Sequence, residues 1–319
     1  MRFRDQRVFE ATIAAAAEQL DIDPIAVEKD YWVSEVLRGL AAFFPAEFVF
    51  KGGTSLSKAY RLVQRFSEDV DILVLPGERG RSATDTLMKK MGTVAGEITG
   101  AEPAKWNGAE TGKHRAYRIP ISARFPVTPL ISGDVLLEMG VRGGSHPTEI
   151  KLISSLLGDA LAAANQAPER YEDLAPFDVA VLHPGRTLVE KLVHVHALAQ
   201  GLEADPHAEL DGRSGRHFYD VWALLGDGQV LDFLADRDEF EGVLSNVEEV
   251  GRAEFGTRNL ETRPPGGFAT SPAFEPSSAT SQRLRQAYES TTPELYFGEP
   301  PLPTWDEVCA RIKERAELL

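Results

Sequence analysis

A short strand, a glycine turn, one helix and a second strand follow one another between residues 48 and 74, and this order most restricts the fold. The first strand is the apolar run FVF, which leads directly into Lys51-Gly52-Gly53. Helical spacing then predicts a helix over Thr54–Gln64, and the apolar run that follows predicts a strand over Asp69–Leu75. A β-α-β opening of this kind predicts an α/β or α+β domain, with helices flanking a mixed sheet.

The glycine turn carries hydroxyl side chains at the point where strand becomes helix. Gly52 and Gly53 allow backbone amides to approach an anion closely, and the positive end of the following helix adds to the attraction. Thr54 and Ser55 carry hydroxyls that donate to a phosphate group or, alternatively, cap the helix. The turn therefore predicts either a phosphate-binding loop or an ordinary helix start.

Two aspartates stand two residues apart on the second predicted strand. Because side chains alternate along a strand, Asp69 and Asp71 lie on the same face, a few ångströms apart. Such carboxylates repel unless a cation lies between them, and hard oxygen ligands suit Mg²⁺. Glu138 interrupts the apolar strand DVLLEMGV and is the candidate third ligand, with Asp134 the weaker candidate. The alternative for Glu138 is an ion pair with a nearby arginine.

The pattern changes near residue 150, which predicts two domains. Residues 1–150 combine strands with long helices, and residues 151–319 are predicted to be mainly helical. Proline, glycine and serine concentrate at 257–303, which predicts an irregular segment interrupted by a short helix at about 280–289. Other helices are expected at 6–20, 24–44, 82–99, 150–165, 184–200, 216–225, 229–248 and from Trp305 with Thr304 as N-cap, and further strands at 114–142.

The charge balance limits how much nucleic acid the chain can cover. Its 34 Lys and Arg residues stand against 49 Asp and Glu, a net charge of −15. Proteins that coat nucleic acid need many basic groups against phosphates, so this role is excluded, whereas a single nucleic-acid end held with metal ions is not. No segment approaches the roughly 18 apolar residues of a membrane span, and the N-terminus lacks the apolar core of a signal peptide. We therefore expect a cytoplasmic protein without membrane contact.

The glycine turn and paired aspartates together resemble the polymerase-β-like nucleotidyltransferase fold, and within it the AbiEii/AbiGii toxin family that includes the MenT toxins. The blocks KGGTSLSKAY and RFSEDVDI match that family's first motif, and VEKDYWVSEVL at 27–37 resembles its preceding helix. TLVEKLVHVHAL, RHFYDVWALL and YFGEPPLPTWDEV resemble its downstream motifs. The resemblance implies a polymerase-β-like mixed sheet followed by a mostly helical domain.

The resemblance also implies a role for each residue of the first motif. An NTP is the expected substrate and Mg²⁺ the expected cofactor. The metal ligands would be Asp69 and Asp71, with Glu138 completing the set. Ser67 would lie near the metal or, alternatively, begin the strand. The triphosphate would be held by Gly52, Gly53, Thr54 and Ser55, and Lys51 is a candidate for phosphate contact or, alternatively, an exposed turn charge.

Two helices further along the chain are expected to complete the site. By resemblance, Lys191 would neutralise phosphate charge and Asp220 would orient it or the substrate, with a structural ion pair between two helices as the alternative. Arg65 is a candidate for phosphate contact or an exposed helix-end charge. Lys58 is expected to be solvated, and His217 to be a structural histidine or a partner of Asp220.

The same resemblance implies a reaction and partners. An NMP is expected to pass from an NTP to an RNA acceptor, in particular a tRNA 3′ end, which would block translation and growth. A cognate antitoxin would be the protein partner. The alternatives are nucleotidylation of a protein or small molecule, and a non-catalytic binding module on the same fold. Basic residues that would face tRNA, or be scattered solvated charges, are Lys113, His114, Arg115, Arg118, Arg124, Arg213 and Arg216.

Overall fold

The chain folds into two compact units. The computed structural model describes residues 1–106, 108–129, 131–211, 214–255, 261–298 and 300–319. The N-terminal unit comprises Met1–Arg61 and Phe66–Leu182, and the C-terminal unit comprises Leu62–Arg65 and His183–Leu319.

The N-terminal unit combines a sheet with flanking helices. Its strands are β1 (Phe48–Lys51), β2 (Asp69–Val74), β3 (Ala104–Lys105), β4 (His114–Pro120), β5 (Asp134–Gly140), β6 (Thr148–Ile153) and β7 (Phe177–Leu182). Its α-helices are α1 (Phe9–Leu20), α2 (Pro24–Phe43), α3 (Gly52–Lys58), α4 (Arg81–Thr99) and α5 (Leu156–Ala163).

Strand β2 occupies the middle of the sheet. Across the described residues the strand order is β3-β4-β5-β2-β1-β7-β6. β1 runs antiparallel to β2, whereas the β2–β5 and β1–β7 pairs are parallel. This mixed sheet with flanking helices confirms the predicted α/β fold. It also places Asp69 and Asp71 on the central strand, flanked by a neighbour on each side.

Helix α2 begins where its sequence predicts. The Asp23 side chain accepts a hydrogen bond from the backbone N–H of Ile25 at 3.0 Å, and Pro24 takes the first helical position. The helix contacts α1, α4, α5 and the central strand, so most of its surface is enclosed. Charged side chains on α2 must therefore find partners inside the fold.

Helix α3 is shorter than predicted. It ends at Lys58, whereas the helical spacing continues to Gln64. Arg61 adopts a left-handed backbone with φ of 56°, which breaks the helix. The next four residues join the C-terminal unit, where Arg65 forms a β-bridge with Tyr296. Pairing distant in sequence therefore outweighs the local helical pattern.

Residues 148–182 add two strands that the sequence pattern did not reveal. The helix predicted at 150–165 is divided into β6 and the shorter α5, and β6 pairs antiparallel with β7. Ile150 and Leu152, on the edge strand β6, are 68% and 65% exposed, so burial does not mark this segment as a strand. The boundary predicted at residue 150 lies inside the N-terminal unit, since these two strands complete its sheet.

The C-terminal unit is helical, with α6 (Pro184–Ala204), α7 (Arg216–Leu224), α8 (Gly228–Ala235), α9 (Arg237–Phe255), α10 (Ala279–Leu295) and α11 (Trp305–Glu314). As predicted, α11 begins at Trp305 with Thr304 as N-cap, and Glu307 completes a capping box. Phe218, Phe240 and Trp305 are buried in its core. None of the helices in the described ranges is long and apolar enough to cross a membrane.

The segment predicted to be irregular contains a long helix. α10 covers 17 residues, where the sequence predicts only a short helix at about 280–289. The Ser278 hydroxyl accepts the backbone N–H of Ser281 and starts the helix, and Pro293 is accommodated within it. Residues 257–260 and Glu299 of the segment lie outside the described residues.

Candidate active site

The glycine turn joins β1 to α3 in a conformation that suits glycine. Gly52 has a φ of 80°, in the left-handed region that side chains rarely adopt. A Cβ atom at this position would lie 2.3 Å from Oδ2 of Asp71, well inside contact distance. The bare backbone at Gly52 is therefore what allows the Asp71 carboxylate to lie directly against the turn.

Strand pairing places Glu138 beside the two aspartates. Asp71 of β2 is paired with Glu138 of β5 in the parallel register and with Lys51 of β1 in the antiparallel register. Because directly paired residues point to the same face of a sheet, Asp69, Asp71 and Glu138 share one face. Asp71 and Glu138 lie side by side, so the charge of Asp71 acts directly on the Glu138 carboxyl. The central strands thus bring the three predicted carboxylates together.

The two neighbouring aspartates raise the affinity of Glu138 for a proton. Burial raises the pKa of Glu138, and the negative charges of Asp71 and Asp69 raise it further, to about 7, although Lys51 acts in the opposite direction. A cation bound beside Glu138 would offset this repulsion.

The chemistry of this donor set fits a hard divalent cation. Mg²⁺ prefers carboxylate oxygens and is usually held by one or two carboxylates together with water and substrate phosphates. Asp71 and Glu138 supply such a pair, with Asp69 on the same face of the strand. In the described ranges no group of three or more His, Cys, Asp or Glu side chains has the geometry to enclose a metal ion by itself.

The raised pKa of Glu138 predicts how stability depends on pH. Because folding favours the protonated carboxyl, Glu138 stabilises the fold most below its ordinary pKa of 4.5, and this contribution is lost as the pH rises through about 7. In EDTA, Glu138→Gln should leave the Tm unchanged at pH 4.5 and raise it at pH 8. The corresponding gain in the free energy of unfolding at pH 8 is about 1–2 kcal/mol once solvent screening is included. The exposed Glu102→Gln is the control; equal pH profiles for wild type and Glu138→Gln would contradict the prediction.

Asp134, the weaker candidate for a metal ligand, forms an ion pair with Arg118. Nη1 of Arg118 donates to both its carboxylate oxygens, at 3.1 and 3.0 Å. Asp134 lies at the start of β5, four residues before Glu138. Arg142, which follows β5, donates to Glu110.

The hydroxyls next to the turn bond within the protein. The hydroxyl oxygens of Thr54 and Ser67 are 2.7 Å apart, and this hydrogen bond ties α3 to the segment before β2. The fully buried Ser55 hydroxyl donates to the carbonyl of Gly52 at 2.9 Å. These are the contacts of a helix start, and a phosphate-binding role for Thr54 and Ser55 stays a prediction.

Lys191 and Asp220 form a buried ion pair in the C-terminal unit. Lys191 Nζ lies 2.7 Å from Oδ2 of Asp220, which links α6 to α7. Arg65 donates to the same carboxylate through Nε at 2.6 Å and Nη2 at 2.7 Å. Burial alone would raise the pKa of Asp220, but Arg65 and Lys191 together hold it well below its ordinary value. The exposed helix-end charge predicted as the alternative for Arg65 is wrong, because Arg65 is 1% exposed.

Two histidines pack beside this ion pair. The Lys191 ammonium lies 3.4 Å from Nδ1 of His217, and the ring centroids of His217 and His194 are 4.6 Å apart. Burial, with the positive charge of Lys191, lowers the pKa of His217 to about 2. His217 is therefore a neutral acceptor for the lysine, which keeps Lys191 oriented.

Several of the basic residues predicted to face tRNA bind carboxylates within the protein. Arg115 is only 8% exposed and donates to both oxygens of Asp85, at 2.7 and 2.8 Å. Lys113 pairs with Glu110 at 3.1 Å, and His114 Nδ1 lies 3.1 Å from the Gly108 carbonyl. The remaining predicted residues are Arg118, described above, the exposed Arg124, the half-buried Arg216, and Arg213, which lies outside the described residues.

Sequence reasoning missed two buried lysines that form ion pairs close to the carboxylate-bearing strands. Lys58, predicted to be solvated, has a side chain only 5% exposed and pairs with Asp30 of α2 at 2.5 Å. Lys29, on the same helix, pairs at 2.8 Å with Glu68, the residue directly before Asp69. The available signal was the run Glu28-Lys29-Asp30 inside a helix whose other residues predict burial on several faces.

Comparison with known proteins agrees with the family resemblance of the motifs. Over residues 35–311 the chain matches the family of nucleotidyl transferase AbiEii toxins, assigned to a Type IV toxin–antitoxin system. Among solved structures it is similar to MenT4, a nucleotidyltransferase toxin from Mycobacterium tuberculosis H37Rv, with 18% identity, 96% of each chain covered and a TM-score of 0.38. No curated protein sequence matches it. Because the family match spans most of its length, the chain belongs to the AbiEii family of nucleotidyltransferase toxins.

Proposed function

We propose that this nucleotidyltransferase toxin depends on Mg²⁺ and transfers a nucleoside monophosphate from an NTP to an RNA acceptor, in particular the 3′ end of tRNA. Pyrophosphate would be released, and translation and growth would be blocked. The pairing of Asp71 with Glu138 across the central strands carries the proposal. Two adjacent carboxylates beside a glycine turn form a place where a cation and a phosphate group can meet.

Asp69, Asp71 and Glu138 are the residues that would hold the metal. When bound, Mg²⁺ would neutralise the departing pyrophosphate and make the acceptor hydroxyl a better nucleophile. The protein supplies position, because β2 and β5 keep Asp71 and Glu138 in fixed register. Gly52 has no side chain, which lets the Asp71 carboxylate lie directly against the glycine turn. The rest of the proposed phosphate-binding set is Lys51, Gly53, Thr54 and Ser55.

The buried cluster of the C-terminal unit supports a phosphate-binding role for Lys191. Arg65 and Lys191 place two positive charges on the single carboxylate of Asp220, and His217 is neutral. This excess of positive charge favours an anion such as the phosphates of an NTP. Asp220 would act by keeping the Lys191 ammonium charged and oriented despite burial, which by itself lowers the pKa of Lys191.

The acceptor is the finer part of the proposal. With a net charge of −15, and with Arg115 and Arg118 bound to carboxylates, the chain is suited to brief contact with one RNA end. Nucleotidylation of a protein or small molecule would use the same carboxylates and is the alternative. A binding module without turnover on the same fold would bind nucleotide but release no pyrophosphate.

One assay separates these possibilities. The protein is incubated with Mg²⁺, each α-³²P-labelled NTP in turn, and either total tRNA or RNase-treated lysate protein. We expect label on tRNA with one or more NTPs and a matching release of pyrophosphate. Label on protein alone would replace RNA with a protein acceptor. Nucleotide binding without pyrophosphate release, with all acceptors supplied, would favour the binding module.

A cognate antitoxin and a cytoplasmic location complete the proposal. The family is that of a toxin–antitoxin system, and an enzyme acting on tRNA works where translation occurs. Growth arrest on expression of the chain, relieved by co-expression of a neighbouring gene, is the expected result. Growth arrest that is lost in Asp71→Asn would tie the toxicity, and hence the need for an antitoxin, to the enzyme activity.

A further inference from the structure

Three consecutive charged residues of α2 each bind a different part of the N-terminal unit. Glu28, Lys29 and Asp30 are all buried or nearly so in a helix enclosed by other elements. Successive residues on a helix point about 100° apart, so a run of three reaches three separate neighbours. The proposed function does not account for these side chains, because none of the three is a predicted metal-binding or phosphate-binding residue.

Lys29 lies at the point where the two carboxylate-bearing strands begin. Its side chain is 0% exposed, and its ammonium lies 2.8 Å from Oε2 of Glu68. It also donates to the carbonyl and hydroxyl of Ser132, at 2.9 and 3.0 Å, and to the carbonyl of Asp134. Glu68 directly precedes β2, and Asp134 is the first residue of β5. One buried ammonium therefore binds the starts of both strands.

The neighbours of Lys29 secure the surrounding segments. The Glu28 carboxylate accepts the backbone N–H groups of Arg124 and Phe125, at 2.8–3.1 Å, and so holds the loop between β4 and β5. Asp30 accepts from Lys58 at the end of α3 and from the backbone N–H of Leu156. The charges of α2 are thus the internal partners of the segments that frame the carboxylates.

We propose that Lys29 is a positioning residue for the nucleotidyl transfer site. By joining Glu68 to Ser132 and Asp134, it sets the spacing of β2 and β5 and thereby of Asp71 and Glu138. This inference rests on the proposed metal role of those carboxylates. No hairpin joins the two strands, which are parallel and far apart in sequence, so a turn cannot fix where they start relative to each other. A buried, hydrogen-bonded ammonium supplies that constraint.

The test measures binding of Mn²⁺ alone to the full chain by electron paramagnetic resonance, together with Tm and nucleotide transfer. Lys29→Met keeps the length of the side chain but removes its charge and donors. We expect the Kd for Mn²⁺ to rise about tenfold, at the lower end of what loss of an outer-shell partner causes, with a parallel fall in kcat. Tm is also expected to fall, because Glu68 is left without its buried counter-charge.

The double variant Lys29→Met/Glu68→Gln separates positioning from stability. Removing both charges should restore most of the lost Tm, whereas the weakened Mn²⁺ binding and the low kcat should persist, since Ser132 and Asp134 stay uncoupled. Recovery of Mn²⁺ affinity together with Tm would overturn the proposal and leave Lys29 a structural residue. The double variant also decides the matter if the single variant does not fold.

Two further proteins complete the experiment. Glu35→Gln, another buried acid on α2 whose side chain accepts from Arg38, is the matched control and should bind Mn²⁺ as the wild type does. Asp71→Asn tests the underlying proposal. If Asp71→Asn binds Mn²⁺ normally, the metal assignment fails and the inference falls with it. If only Asp71→Asn is impaired and Lys29→Met is normal, the metal assignment stands and the positioning role is overturned.

Discussion

Replacing Asp71 by Asn is expected to abolish label transfer from an α-³²P-labelled NTP, by at least about a thousandfold in kcat, without destabilising the protein. The carboxylate pairs with Glu138 across the central strands, so its loss removes half of the proposed metal-binding pair. In EDTA the same change removes a charge that repels Glu138 and raises its pKa, so Tm should stay level or rise. Loss of activity with undiminished stability is the signature of a metal-binding carboxylate.

The controls separate this result from a general effect of charge. Asp178 is an exposed residue of β7, away from the site. Asp178→Asn makes the same chemical change there, and this variant should keep its nucleotide-transfer activity. Asp69→Asn should behave as Asp71→Asn does, because both aspartates lie on one face of β2. Transfer that persists in both Asp69→Asn and Asp71→Asn would exclude these residues as the metal ligands.

The part of the site that could be predicted from sequence is the part encoded locally. The order of strand, glycine turn, helix and paired aspartates is contiguous between residues 48 and 74, and two-residue alternation alone places Asp69 and Asp71 on one face. Glu138 could be predicted as a site residue because a carboxyl group within an apolar strand needs a partner. Its register opposite Asp71 depends on strand pairing, which no local pattern reports.

The part that could not be predicted depends on contacts distant in sequence. Strand β6 exposes the apolar residues Ile150 and Leu152, and its sequence TEIKLI fits a helix as well as a strand. Arg65 follows a helical pattern, yet the chain leaves the N-terminal unit at Leu62 and buries Arg65 against Asp220. In each case the partner, rather than the residue's own neighbours, decides the structure.

Charged residues were the least predictable group. Lys58 and Arg115 are of the type usually found in solvent, and each is instead bonded to an aspartate inside the fold, Asp30 partly buried and Asp85 buried. Burial of such groups is tolerated only with a counter-charge, and the counter-charges, Asp30 and Asp85, lie 28 and 30 residues away. A charge inside a strongly apolar helix, as in α2, is the sequence signal that such a pair exists.

Replacing Asp220 by Asn is expected to destabilise the protein by about 3–5 kcal/mol, because Arg65 and Lys191 would both lose the buried carboxylate that they share. The pKa of Asp220 is held below its ordinary value, so its contribution is present at neutral pH and is lost as the pH falls through the folded pKa. Thermal unfolding at pH 7 should therefore show a Tm lower by roughly 10 °C. The exposed Asp232→Asn on α8 is the matched control and should change Tm little.

Lys191→Met distinguishes a structural ion pair from a catalytic one at the same carboxylate. Arg65 continues to neutralise Asp220 through two hydrogen bonds, so removing the lysine charge should cost far less stability than removing the aspartate. If Lys191 neutralises phosphate charge, kcat for transfer should nevertheless fall by about a hundredfold or more, the usual effect of losing one stabilising group in the transition state. A folded Lys191→Met protein with wild-type kcat and KM for the NTP would assign this cluster to the stability of the helical unit alone, because the buried pair would then be complete without the lysine.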